Sequence, residues 1–111
     1  MKLPEDLGIE ISNDDGLAVI TVEGEIDIAS SPALGAALDE VDAGRHVVLD
    51  LGGVEFMDSS GLKVLIGQTV RRGEAGGSLY VRNASVAVRR VVEITGLNQF
   101  FFEVESRRSG V

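Results

Sequence analysis

Residues 54–63 read Val-Glu-Phe-Met-Asp-Ser-Ser-Gly-Leu-Lys, which sets a carboxylate, two adjacent hydroxyls and a glycine between two aliphatic stretches. Three kinds of chemistry use such residues. A serine served by a base and an orienting acid can act as a nucleophile. An Asp or Ser ahead of a helix accepts hydrogen bonds from the free amides of the first turn. A serine at a helix start can also carry a phosphate without melting the helix, because the dipole's positive end suits an anion. In that third case the fold stays and the surface changes sign, so a partner registers the event.

The nucleophile reading is weak. His46 is the only histidine, well upstream of Asp58, and "MDSSG" lacks the first glycine of a G-x-S-x-G elbow. The glycines of "GQTVRRGEAGG" follow neither the Walker A pattern nor G-x-G-x-x-G after a strand, so no nucleotide loop is expected. With one histidine and no cysteine, neither a metal site nor a disulfide is expected, and no cofactor is implied. Capping and modification of Asp58–Ser59–Ser60–Gly61 remain.

The surrounding pattern has to present that stretch. "IEIS" (9–12), "NDDG" and "LAVITVEGEI" (17–26) read as a β-hairpin, with Asp-Gly as its turn. Ser30, Ser31 and Pro32 start a helix that Gly44 ends, with Leu34, Ala37, Leu38 and Val41 facing the core. "HVVLDL" (46–51) is a strand buried on both faces. A second helix follows over 61–73, with Leu62, Leu65, Ile66, Thr69 and Val70 as its apolar stripe and Gly73 as its end. "GSLYVRN" (77–83) is a strand and 84–96 a third helix, with Val88, Val91, Val92 and Thr95 on one side. "FFFEVES" (100–106) is a last strand. The expected fold is one α/β domain over 1–111, of order ββαβαβαβ, its mixed sheet mostly parallel and begun by the hairpin.

Charge narrows the partners. The net charge of −8 divides into −12 over residues 1–58 (fourteen acids, two bases) and +4 over 59–111 (four acids, eight bases). Nucleic acid and anionic membranes reward a basic face, so neither is expected, whereas a basic protein surface is compatible. The amino terminus lacks the apolar core of a signal peptide, and no apolar run reaches membrane-spanning length. A cytoplasmic protein is expected. No long apolar stripe is left once the core is filled, which points to a monomer.

A phosphoacceptor receiver domain is the rival α/β switch, with Asp14 and Asp15 as its acidic pair and Asp50 as its acceptor. A receiver needs a helix directly after the pair, but the β-branched "LAVITVEGEI" stands there. It also needs a lysine after the last strand, and the only lysines are Lys2 and Lys63.

In order, "VEGEIDIASSPAL", "VVLDLGGVEFMDSSGLKVLI" and "SLYVRNASVAVRRVVEITGLNQFF" resemble a STAS domain of the bacterial anti-sigma factor antagonist class, over about residues 8–106. The resemblance implies that Ser59, directly after the motif aspartate, is phosphorylated by an anti-sigma factor that is also a serine kinase. The unphosphorylated antagonist would bind that kinase and free its sigma factor, phosphorylation would break the complex, and a PP2C-type phosphatase would reset it. Asp27 of "GEID" corresponds to the partner-binding edge, with a helix cap as its competing role. Asp58, Ser60, Gly61 and Lys63 join the same surface. Lys63 stands where relatives often carry a small residue. The alternative function is a STAS interaction or sensing module, for a nucleotide or lipid, that is never phosphorylated.

Overall fold

The computed structural model describes residues 7–96. Four strands and three helices alternate as β1 (Gly8–Asp14), β2 (Leu17–Ile26), α1 (Ser31–Asp39), β3 (His46–Met57), α2 (Ser59–Glu74), β4 (Ser78–Arg82) and α3 (Val86–Thr95). The strands form one sheet in the order β1-β2-β3-β4. β1 runs antiparallel to β2, whereas β2–β3 and β3–β4 are parallel, so the expected mixed, mostly parallel sheet with a leading hairpin is present. The expected strand at 100–106, and the rest of the STAS-like core beyond residue 96, lie outside the described residues.

The hairpin turn is set by two residues that tolerate a left-handed backbone, Asp15 at φ 54° and Gly16 at φ 82°. Positive φ at both central positions matches the turn's twist to that of the strands it joins. Behind it, alternate residues of β2 and β3 point to one face: Ala18, Ile20, Val22 and Ile26, and Val47, Leu49, Leu51, Val54 and Met57. Leu34 and Leu38 of α1, Leu62 and Leu65 of α2, and Val88 and Val92 of α3 join the same aliphatic cluster. Aliphatic burial of this kind stabilises by roughly 25 cal/mol per Å².

Several boundaries differ from the sequence reading, those of β3 and α1 most. β3 continues through Gly52 and Gly53 to Met57, because β2 follows it through two register shifts and pairs Glu23 with Gly53 and Ile26 with Met57. α1 stops at Asp39, well short of Gly44. Its end is held from outside, by Arg72 of α2.

Arg72 also overturns the expected stripe of α2. Ile66 and Val70 are 39% and 55% exposed, while Gln68 and Arg72 are buried. The buried face of α2 runs through Gly61, Leu62, Leu65, Gln68 and Arg72. Polar side chains can lie there because α1 ends against them. Arg72 Nη1 donates to the carbonyl of Asp42 at 2.9 Å, and Nη2 to those of Val41, at 3.1 Å, and Leu38. Gln68 Nε2 donates to Asp39 Oδ1 at 2.8 Å. Periodicity counts apolar residues, so it could not see that the terminal carbonyls of α1 need a donor. α2 also runs past Gly73 to Glu74.

Burial pushes the Arg72 guanidinium below its ordinary pKa, with the neighbouring Arg71 charge as a smaller cause. Replacing Arg72 with Met strips the donors from three carbonyls and is expected to cost about 2–4 kcal/mol, read as a lower urea midpoint. Arg71 pairs with Asp39 at the surface, each side chain about half exposed. Arg71→Ala is therefore expected to cost less than about 1 kcal/mol. Equal losses for the two would contradict the assignment of the α1–α2 join to Arg72.

Candidate functional site

The site forms where β2 and β3 end side by side. Ile26 and Met57 are partners in the parallel register, so the next residues, Asp27 and Asp58, leave the sheet together at its carboxyl edge. The Asp58 amide donates to the carbonyl of Ile26 at 3.1 Å and ties the two exits to each other. "GEID" and "MDSSG", more than thirty residues apart, thus meet at one edge.

Asp58 is the N-cap of α2, with φ −110° and ψ −171° and its carboxylate accepting from the Ser60 amide at 2.8 Å. Its own carbonyl accepts from the amides of Gly61 and Leu62 at 3.1 and 3.4 Å. Gly61 is buried, and the reason is space: a Cβ on it would stand 2.7 Å from both Ile26 Cγ2 and Met57 Cγ. Only a glycine lets the first turn of α2 lie against the strand ends. The four residues of the motif therefore divide. Asp58 caps, Ser60 supplies the capped amide and is half-buried, Gly61 makes the close approach, and Ser59 is exposed.

Asp27 is engaged locally. Its carboxylate accepts from the amides of Ser30 and Ala29 at 2.9 and 3.0 Å. The Ser30 hydroxyl accepts from the Asp27 amide at 2.9 Å and donates to the carbonyl of Glu25 at 2.7 Å. Ser30 itself caps nothing through its side chain. The bond from the Ser30 amide is the main cause that lowers the Asp27 pKa, so the carboxylate stays charged in the folded chain.

Lys63 is exposed on α2. Lys63, Ile66 and Val70 follow Ser59 by four, seven and eleven residues, which places all of them within about 40° of Ser59 around the helix. Ile28, beside Asp27, is 79% exposed and Phe56, at the end of β3, is 47% exposed. The edge thus carries an exposed serine, a cation and the exposed Ile28 and Phe56, with Ile66 and Val70 farther along the same face of α2 as Ser59. Ile66 and Val70, expected in the core from the apolar stripe of α2, are exposed, and no sequence pattern marks Ile28 or Phe56.

His46 begins β3 and Asp58 follows its last residue, so they are separated by the length of the strand, roughly 30 Å. The imidazole contacts Ser78 at the opposite edge, Nδ1 to Oγ 2.7 Å. It cannot serve Ser59. The rival receiver reading also finds no site: Asp14 ends β1, and Asp50 accepts from Arg82 Nε at 3.3 Å and from the Gly52 amide at 3.0 Å. No group of acidic or imidazole side chains among the described residues could hold a metal ion.

The α/β fold and the exposed serine beside a capping aspartate at the sheet's carboxyl edge can be compared with known proteins. The family model described as "Mlab, STAS domain" matches residues 9–104, and the chain belongs to the STAS domain family. It is 34% identical over 103 residues to the anti-sigma-F factor antagonist RsfB of Mycobacterium tuberculosis, covering 91% of this chain and 84% of that protein. The crystal structure of an anti-sigma factor antagonist from Mycobacterium paratuberculosis is similar at 36% identity and a TM-score of 0.75, over 91% of this chain and 87% of that one. The anti-sigma factor antagonist SpoIIAA, in its unphosphorylated form, shares the fold at 22% identity and a TM-score of 0.70, over 94% and 98% of the two chains. The relatives' names are those of regulatory antagonists, not of enzymes.

Two outcomes test this geometry. Gly61→Ala is expected to destabilise by about 1–3 kcal/mol, because the strand ends must move to admit the methyl group. A carboxylate resonance titration is expected to put Asp27 below its ordinary 3.8. Since the folded value is the lower one, the stability it contributes is complete above the ordinary value and is lost as pH falls through the folded value.

Proposed function

We propose that this chain is an anti-sigma factor antagonist governed by phosphorylation at Ser59. Unphosphorylated, it binds an anti-sigma factor that is also a serine kinase, and the sigma factor is freed. A phosphate on Ser59 ends that binding, and a PP2C-type phosphatase restores it. The chain works in the cytoplasm as a monomer, as a binding module and not as an enzyme.

One observation carries the reading. Asp58 is the side-chain cap of α2, and no hydrogen bond of the Ser59 hydroxyl with another described residue is seen. A cap accounts for Asp58, Ser60 and Gly61 but gives Ser59 no task. An exposed hydroxyl at the start of a helix suits an acceptor, because an anion there agrees with the dipole and leaves the helix intact. The names of the relatives support the antagonist role. Asp27, Asp58, Ser60 and Lys63 are the polar part of the proposed partner surface, set in place by the buried Gly61, and Ile28, Phe56, Ile66 and Val70 are its apolar part. A dianion set into such a contact meets like charge and desolvation, and like-charge juxtaposition across an interface costs several kcal/mol, which is enough to release a partner.

The decisive experiment incubates the protein with each anti-sigma kinase of its host and ATP, followed by intact mass and site mapping. One added phosphate is expected on Ser59, absent from Ser59→Ala and absent without kinase. Ser59→Ala should still bind the kinase and should no longer respond to ATP. A folded protein that gains no phosphate from any of them would overturn the switch and leave an unmodified STAS interaction or sensing module. Lys63→Ala is expected to change kinase affinity by about two- to fivefold with an unchanged melting temperature.

A further inference from the structure

Lys63 is an exposed cation of the site, and no hydrogen bond or ion pair with another described residue engages it. It lies exposed one turn beyond Ser59 on α2, where side chains at i and i+4 have Cβ atoms about 5–6 Å apart. The ionisable groups at the strand ends beside Ser59 are carboxylates: Asp58 next to it, Asp27 on the adjoining exit of β2, and the exposed Glu25 and Glu55. Arg71, the next exposed base along α2, is taken by Asp39.

Three amides at the start of α2 are already bound. The Ser60 amide is bound by the Asp58 carboxylate at 2.8 Å, and the Gly61 and Leu62 amides by the Asp58 carbonyl at 3.1 and 3.4 Å. A phosphate on Ser59 would find those three donors engaged and Asp58 beside it. The Lys63 ammonium, on a flexible four-carbon stem and on the same helical face, is within reach.

We propose that Lys63 is the built-in counter-ion of the phosphate on Ser59, an inference that rests on Ser59 being the acceptor. Modification then changes two groups at once. It adds a dianion at the helix start, and it withdraws the free ammonium from the surface beside Ile66 and Val70. The partner loses a cation it could have met, in addition to facing a new anion. The pairing also favours the doubly charged phosphate over the singly charged one, so more of the modified protein carries the full charge near neutral pH.

The test installs phosphoserine at position 59 during translation, so that it needs no kinase and its outcome is separate from whether a kinase acts on Ser59. The ³¹P resonance is titrated at low salt in the wild type, Lys63→Met and Lys63→Arg. The second phosphate pKa, ordinarily about 6, is expected to lie about 0.3 of a pH unit lower in the wild type than in Lys63→Met. Lys63→Arg should resemble the wild type, and the difference should fade near 1 M salt, where charges are screened within about 3 Å. The same pKa in wild type and Lys63→Met at low salt, with both folded by circular dichroism, would overturn the proposal.

Discussion

The structure depends on how closely the first turn of α2 lies against the ends of β2 and β3. That approach has two parts, the Asp58 amide on the Ile26 carbonyl at 3.1 Å and the absence of a side chain at Gly61. Together they fix where two parallel strands leave the sheet and where a helix begins. An exposed serine between them is then held on a rigid support, because Asp58, Ser60 and Gly61 are each occupied by cap or packing. The proposed phosphate switch would need such a support. If the helix start could shift, a new charge would be absorbed by local movement and would not reach the partner.

Much of this was legible in the sequence, for identifiable reasons. The β-branched alternation of β2 and the Asp-Gly turn gave the hairpin, since both are local preferences that tertiary contacts did not override. Asp58 was legible as a cap for the same reason. What was not legible came from contacts distant in sequence. Arg72 sits in the buried face of α2 because the carbonyls at the end of α1 need a donor, a need that lies about thirty residues away. The stripe of α2 was consequently rotated in the reading, and Ile66 and Val70 were placed in the core when they belong to the surface. The length of β3 was underestimated because Gly52 and Gly53 read as a stop, whereas the register shifts of β2 carry the pairing across them.

The two ends of α2 therefore use opposite physics. At its start, small and polar residues bring the helix against the strands and leave one hydroxyl free. At its far end, a buried guanidinium holds the exit of α1. The helix is pinned at both ends against parts of the core that also position Asp27, through β2 and the α1 turn. Bare apolar side chains between these anchors lie on a face that the helix cannot rotate away.

The division of labour within Asp58–Ser59–Ser60–Gly61 has an evolutionary consequence. Because the cap is the aspartate and the close approach is the glycine, the fold asks nothing of the hydroxyl at position 59. Drift can remove or restore that hydroxyl without passing through an unfolded intermediate. A lineage built on this scaffold can gain or lose that hydroxyl in one nucleotide change, while the fold keeps its demand on the aspartate and the glycine.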